Sequence, residues 1–120
     1  MSLFGSFFFI LPQIFEKDKF ATENGAVIEE IGDHSATCSL VITDSHRNAM
    51  GAVMGGTYFM LADFAFAVAA NWEKMGCVSL RSDISFLGTA KGETLIAKAA
   101  CLKDGNQILR KEDRCRKNRH

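Results

Sequence analysis

The sequence predicts an α+β domain in which an antiparallel sheet wraps around one long apolar helix. Three observations lead there. Ala36, Cys38, Leu40 and Ile42 alternate with Thr37, Ser39 and Val41, the period of a half-buried strand. Tyr58–Ala70 is apolar at every position except Asp63, is rich in Ala and lacks strand periodicity, so it reads as a helix. That helix is too short to span a bilayer, which takes about 20 residues, and a helix apolar on all sides has to be enclosed by protein. The order of segments, two strands, a buried helix and more strands, is satisfied by a sheet curled around that helix.

The elements follow in chain order. Leu3–Leu11 is apolar, but it has no basic flank and no small-residue cleavage site, so residues 1–11 read as a packing segment and not a targeting signal. Pro12 suits a first helical turn, and Gln13–Thr22 reads as a helix carrying Ile14, Phe15 and Phe20. Asn24-Gly25 breaks it, Ala26–Ile31 forms a short strand, and Gly32-Asp33 turns into the alternating strand to close a hairpin. Asp44–Met54 is a loop, with His46, like His34, expected at the surface. Gly55-Gly56 opens the apolar helix, which ends near Gly76. Val78, Leu80, Ile84 and Phe86 alternate with Ser79, Arg81, Asp83 and Ser85 as a third strand. Lys91-Gly92 turns the chain, Glu93–Leu102 is a fourth strand, and Asp104-Gly105 signals a hairpin.

Composition narrows the function classes. With 120 residues, 1–120 is one domain, and a chain this small gains from burying surface against a partner subunit. Hydrophobic residues make up 48% and charged residues 23%, the balance of a soluble globular protein, and the formal net charge is +0. Nothing in that balance favours nucleic acid or a membrane surface as partner. The four cysteines Cys38, Cys77, Cys101 and Cys115 form no CxxC, which points to reduced thiols in a cytoplasmic protein and to no metal site.

The chemistry concentrates in the stretch from His46 through Asn48, Gly51, Met54, Gly55, Gly56 and Leu61 to Asp63. Paired glycines at a helix start let a ligand approach free backbone amides, where the helix dipole favours negative charge. Such amides hold the oxyanion of an acyl transfer. An Asp inside an apolar helix costs free energy unless it is paired or used. Each feature alone also has a structural reading: the glycines as a tight helix start, and Asp63 as a hydrogen-bonded carboxylate. Their combination in one segment favours a site.

With Asn48, Gly51, Gly55-Gly56, Leu61 and Asp63 in this spacing, the sequence resembles the hotdog-fold acyl-CoA thioesterases of the phenylacetyl-CoA and 4-hydroxybenzoyl-CoA type. The match runs from Phe20-Ala21-Thr22 to Asp104-Gly105, through Ser85-Phe86-Leu87 and Gly92-Glu93. The resemblance implies a hotdog fold and hydrolysis of acyl- or aryl-CoA thioesters. It makes Asp63 the nucleophile or the base that activates water, has the Gly55 amide polarise the thioester carbonyl, and leaves Asn48 and Ser79 to assist. Met54, Gly56, Phe59 and Arg81 would contact the substrate. No cofactor is implied, since coenzyme A arrives as part of the substrate. Met54 stands where the family has His, and methionine supplies none of the hydrogen bonds of an imidazole. Asp63 thus favours an enzyme, while Met54 favours the alternative of a non-catalytic acyl-CoA binding or sensing module on the same fold.

Two further expectations concern assembly and the C-terminal segment. Gly55 and Asp63 lie about 12 Å apart along one helix at 1.5 Å per residue, too far to act on one carbonyl. A two-fold pairing of antiparallel helices would bring Gly55 of one copy to Asp63 of the other, hence a homodimer and a dimer of dimers, or homotetramer. Residues 107–120 are an atypical basic tail in which Arg110–His120 has Cys115 as its sole apolar residue, so this segment is not expected to cover one face of a sheet. One allowed set of codons for Glu112–His120, read one base later, encodes Lys-Ile-Asp-Val-Glu-Lys-Thr-Asp, which alternates as a strand does. Two readings stand: a frameshifted tail, or a basic edge strand of the kind that resists aggregation.

Overall fold

Two antiparallel strands joined by a tight turn begin the sheet, as the Gly32-Asp33 signal predicts. They are β1 (Val27–Gly32) and β2 (Ser35–Val41) in a computed structural model that describes residues 12–71, 81, 83, 85, 91–104 and 109–116. His34 takes the turn's left-handed position at φ 52°, and its Nδ1 lies 2.7 Å from Asp33 Oδ1. Strand β3 (Thr94–Asp104) pairs antiparallel with β2, and β4 (Leu109–Arg116) pairs antiparallel with β3, giving the order β1-β2-β3-β4. β3 runs slightly beyond the expected Glu93–Leu102.

The alternation read from the sequence carries through into packing. Ala36, Cys38 and Leu40 are buried, and the register sets them opposite Ala99, Ala97 and Leu95, which are buried too. Opposite residues in an antiparallel pair share a face. That face receives the long helix, which spans Gly55–Ala70 and packs on β2, β3 and β4. Leu40, Leu61 and Leu95 are fully removed from solvent, each worth roughly 2 kcal/mol of apolar burial.

The segment expected as one helix over Gln13–Thr22 is instead two pieces. A helical turn at 12–15 is followed by helix α1 (Lys19–Glu23), so the long helix is α2. Between them the bonds tighten to a three-residue closure, Lys17 N–H to Ile14 C=O and Asp18 N–H to Phe15 C=O, both 3.1 Å. The polar run Glu16 to Lys19 offers no apolar residue to continue a buried stripe. Phe15 meanwhile turns inward to meet Phe64 edge-on, with ring centroids 5.9 Å apart at 89°. Gly25 then enters β1 at φ +101°, a conformation that glycine tolerates, with Leu40 Cγ 3.7 Å from where a Cβ would stand.

Part of the basic tail forms a strand, β4, the last in the order of the described strands, and pairing of its backbone leaves both readings of the segment open. Backbone pairing with β3 is open to any residue but proline, so charge alone does not prevent it. The third strand expected over Val78–Phe86 lies outside the described residues except for Arg81, Asp83 and Ser85, all exposed. Gly76, Cys77, Leu3–Leu11 and Gly105 also lie outside them.

Candidate functional site

The loop before α2 is shaped by His46 and Asn48. Asp44–His46 is a short 3-10 turn in which His46 is buried and not at the surface. Its Nδ1 accepts the Thr43 N–H at 2.9 Å, which leaves Nε2 to donate to the Asn24 carbonyl at 2.6 Å. The imidazole therefore ties the loop to the C-terminal end of α1, just ahead of β1, in a single tautomer. Asn48 Oδ1 accepts the amides of Met50 at 2.9 Å and Ala52 at 3.1 Å, and Gly51 closes the turn at φ +84°. An Asx-type turn of this kind fixes the path of the chain into the glycine pair.

α2 starts cleanly. Met54 is its N-cap, with the Met54 N–H bonded to the His46 carbonyl at 2.8 Å and the Thr57 N–H to the Met54 carbonyl at 2.9 Å. Gly55 and Gly56 sit between them as first-turn donors, which an α-helix leaves without an intrahelical acceptor. Met54 itself is 53% exposed, and its Cε lies 3.1 Å from where a Gly56 Cβ would stand, so its side chain leans over the helix start.

α2 is not covered all round. Tyr58, Leu61, Phe64, Ala65 and Val68 are buried, but Gly56, Phe59 and Asp63 are exposed along one stripe at helical spacing. Asp63 is thus at the surface of the single chain, not enclosed as its apolar neighbours led us to expect. Between this stripe and α1 runs a groove of about 270 Å³. Phe20, Ala21, Phe59, Met60 and Phe64 make its apolar walls, and Gly56, Asp18 and Asp63 complete it.

Of the residues singled out from the sequence, the groove brings together Asp63, Gly56 and Phe59, with Gly55 and Met54 adjoining at the helix start. Asn48 is exposed in the preceding loop and does not line the groove. Arg81 is solvent-exposed, with its Nε 3.5 Å from Asp83 Oδ2. Ser79 lies outside the described residues. Asp18 and Phe20 were missed as site residues, because α1 reaches the groove through tertiary packing and its short sequence has no site motif of its own. Among the described residues no cluster of His, Cys, Asp and Glu is arranged to hold a metal ion, and no helix is long and apolar enough to cross a membrane.

No family model matches the chain. The acyl-coenzyme A thioesterase PaaI of Escherichia coli (strain K12) is 32% identical over 95 residues, which cover 78% of this chain and 68% of PaaI. The chain belongs to the PaaI-type thioesterases. The solved structure of E. coli PaaI, from the phenylacetic acid degradation operon, superposes on this PaaI-type chain with a TM-score of 0.79 and 29% identity, covering 88% of this chain and 78% of that one. The fold is accordingly the hotdog fold, as the resemblance implied. The Archaeoglobus fulgidus protein named "Putative esterase" is also 32% identical over 95 residues, 78% of this chain, and the chain spans 62% of that relative's length. A Streptococcus pneumoniae thioesterase protein with coenzyme A shares the fold at a TM-score of 0.68 and 24% identity, covering 77% of this chain and 75% of that one.

Proposed function

We propose that this chain hydrolyses acyl- or aryl-CoA thioesters and does so as a homodimer. The observation that carries the reading is the placement of Asp63 and Gly56 on one apolar groove at the start of α2, in a chain related to a thioesterase. In the proposed reaction Asp63 takes a proton from a water molecule whose oxygen attacks the thioester carbonyl carbon. The carbonyl oxygen gains negative charge, which the first-turn amide of Gly55 stabilises. The tetrahedral intermediate then expels the coenzyme A thiolate, the C–S bond breaks, and the proton held by Asp63 returns to sulfur. Water and thioester give acid and thiol, and the resemblance implies no metal or organic cofactor in the scheme. Asn48 serves this scheme by shaping the loop before Gly55, and Ser79 and Arg81 keep the assisting and substrate-contact roles that the resemblance implies.

Since Gly55 and Asp63 lie about 12 Å apart on one helix, the scheme requires Gly55 of one copy to meet Asp63 of another. The apolar stripe of α2 is the surface on which two copies would pair, and two such dimers would make the tetramer. A substrate carrying coenzyme A and the free thiol of Cys38 both fit the cytoplasm.

A panel of acyl-CoAs followed with a thiol reagent tests the proposal directly. Asp63→Ala is expected to lower turnover by at least about 1,000-fold while coenzyme A binding persists, since the carboxylate acts on bound substrate. Wild-type turnover in that variant would remove Asp63 from its role. The alternative of a non-catalytic binding module rests on Met54 standing where the resemblance implies a His, and the thioesterase relatives do not favour it. Tight acyl-CoA binding with no thiol release from any panel member would select it.

A further inference from the structure

The groove between α1 and α2 has a composition that goes beyond a general thioester site. Phe20 is 72% exposed and Phe59 37% exposed, so much of their ring surface awaits an apolar cover. Both charged side chains that line the groove are carboxylates, Asp63 and Asp18. Asp63 already has a part in the proposed chemistry. Asp18 does not, and its position is unusual for an aspartate at a helix start.

Asp18 is the N-cap of α1, where an aspartate ordinarily accepts a hydrogen bond from a first-turn amide. Here its side chain makes no cap hydrogen bond. The residue serves the helix through its backbone carbonyl instead, which accepts both the Thr22 N–H and the Thr22 hydroxyl at 3.0 Å. The carboxylate is left half-buried on the groove wall next to Phe20. A group placed between those aromatic walls meets apolar surface and a fixed negative charge together.

We propose that this groove takes the acyl group of the thioester and that Asp18 makes it selective for uncharged acyl groups, turning away those that end in a carboxylate. The inference rests on the thioesterase reading for the identity of the ligand. Its physical basis is separate. A second carboxylate brought beside Asp18 is repelled and loses hydration against Phe20 and Phe59, and among the described residues no cation lines the groove to offset either loss. A methyl group at the same place covers the rings. Specificity of this kind comes from an element that disfavours the wrong ligand as well as from contacts to the right one.

The test compares valeryl-CoA with glutaryl-CoA, acyl groups of the same chain length that differ in a terminal carboxylate. The wild-type protein is expected to favour valeryl-CoA in kcat/KM. Asp18→Asn is expected to raise the glutaryl-to-valeryl ratio about tenfold, mainly through KM for glutaryl-CoA, and added salt is expected to narrow the wild-type preference. Asparagine is as good an N-cap as aspartate, so α1 survives the change. An unchanged ratio in a folded Asp18→Asn protein, or equal use of both thioesters by the wild type, overturns the proposal. If the wild type hydrolyses neither thioester, the acyl-CoA panel decides the thioesterase reading, and the ratio of the two dissociation constants from calorimetry, in wild type and Asp18→Asn, decides the charge selection by itself.

Discussion

At the scale of single residues, two buried side chains that play no part in the proposed chemistry define the fold's weak points. His46 joins the loop before α2 to the C-terminal end of α1, with one nitrogen on the Thr43 amide and the other on the Asn24 carbonyl. His46→Ala leaves both groups without that partner, and unsatisfied buried groups cost about 1–3 kcal/mol each. The expected result is a loss of about 2–4 kcal/mol in urea unfolding. A loss indistinguishable from zero would show that water replaces the imidazole at no cost. Cys38 is buried on the core face of β2, and its thiol is pushed up to about 12 by desolvation, with a smaller contribution from the nearby charge of Glu29. The sign follows from linkage. The folded chain holds this proton where the unfolded chain releases it, so the contribution to stability is complete below pH 9.0 and declines as pH rises toward 12. Unfolding midpoints above pH 9.0 are expected to fall for the wild type and to fall less for Cys38→Ala. Equal slopes for the two proteins would assign the alkaline loss to other groups.

At the scale of elements, β4 is the strand whose sequence and position conflict. Its register sets Asp113 opposite Ala99 and Cys115 opposite Ala97, and both alanines are buried on the face that receives α2. Paired residues of an antiparallel ladder share a face, so positions 113 and 115 belong to the same face of the sheet as Ala99 and Ala97. Glu112, Arg114 and Arg116 fall on the opposite face. Read one base later, the same stretch supplies isoleucine at position 113 and valine at position 115, with charged residues at 112, 114 and 116. That is the alternation of a half-buried strand, and it is what separates a frameshifted tail from a basic edge strand as readings of this segment. The double change Asp113→Ile with Cys115→Val is expected to stabilise the fold by about 1–3 kcal/mol in urea unfolding. Sequencing of the source locus is expected to show an interrupted frame near Glu112, and an uninterrupted one would return β4 to the status of a genuine charged edge.

At the scale of the whole molecule, the open side of α2 is the surface on which the proposed dimer depends. A stripe through Gly56, Phe59 and Asp63 stays exposed on a helix otherwise packed into the sheet, with Met60, Ala67 and Ala70 half-buried along it. A second copy related by a two-fold axis would cover it and would bring Gly55 across to Asp63. Sedimentation at micromolar concentration is expected to give a dimer or tetramer. An active monomer at that concentration would show that one chain carries the whole site.

What the sequence by itself determined is local and periodic. The period of two placed Ala36, Cys38 and Leu40 on one face, the apolar run identified α2, and the glycine pair with Asp63 marked the segment proposed to carry chemistry. Each of these patterns is set by neighbours within a few residues. The tertiary structure decided the rest. A helix apolar on every face has no periodicity from which to tell its covered side from its open one, so the exposure of Asp63 emerged only when the sheet took up the other faces. The same holds for the break between Phe15 and α1, for the burial of His46, and for the meeting of Asp18 and Phe20 with Asp63. These depend on contacts between segments distant in the chain, where packing and hydrogen-bond partners, not local propensity, fix the outcome.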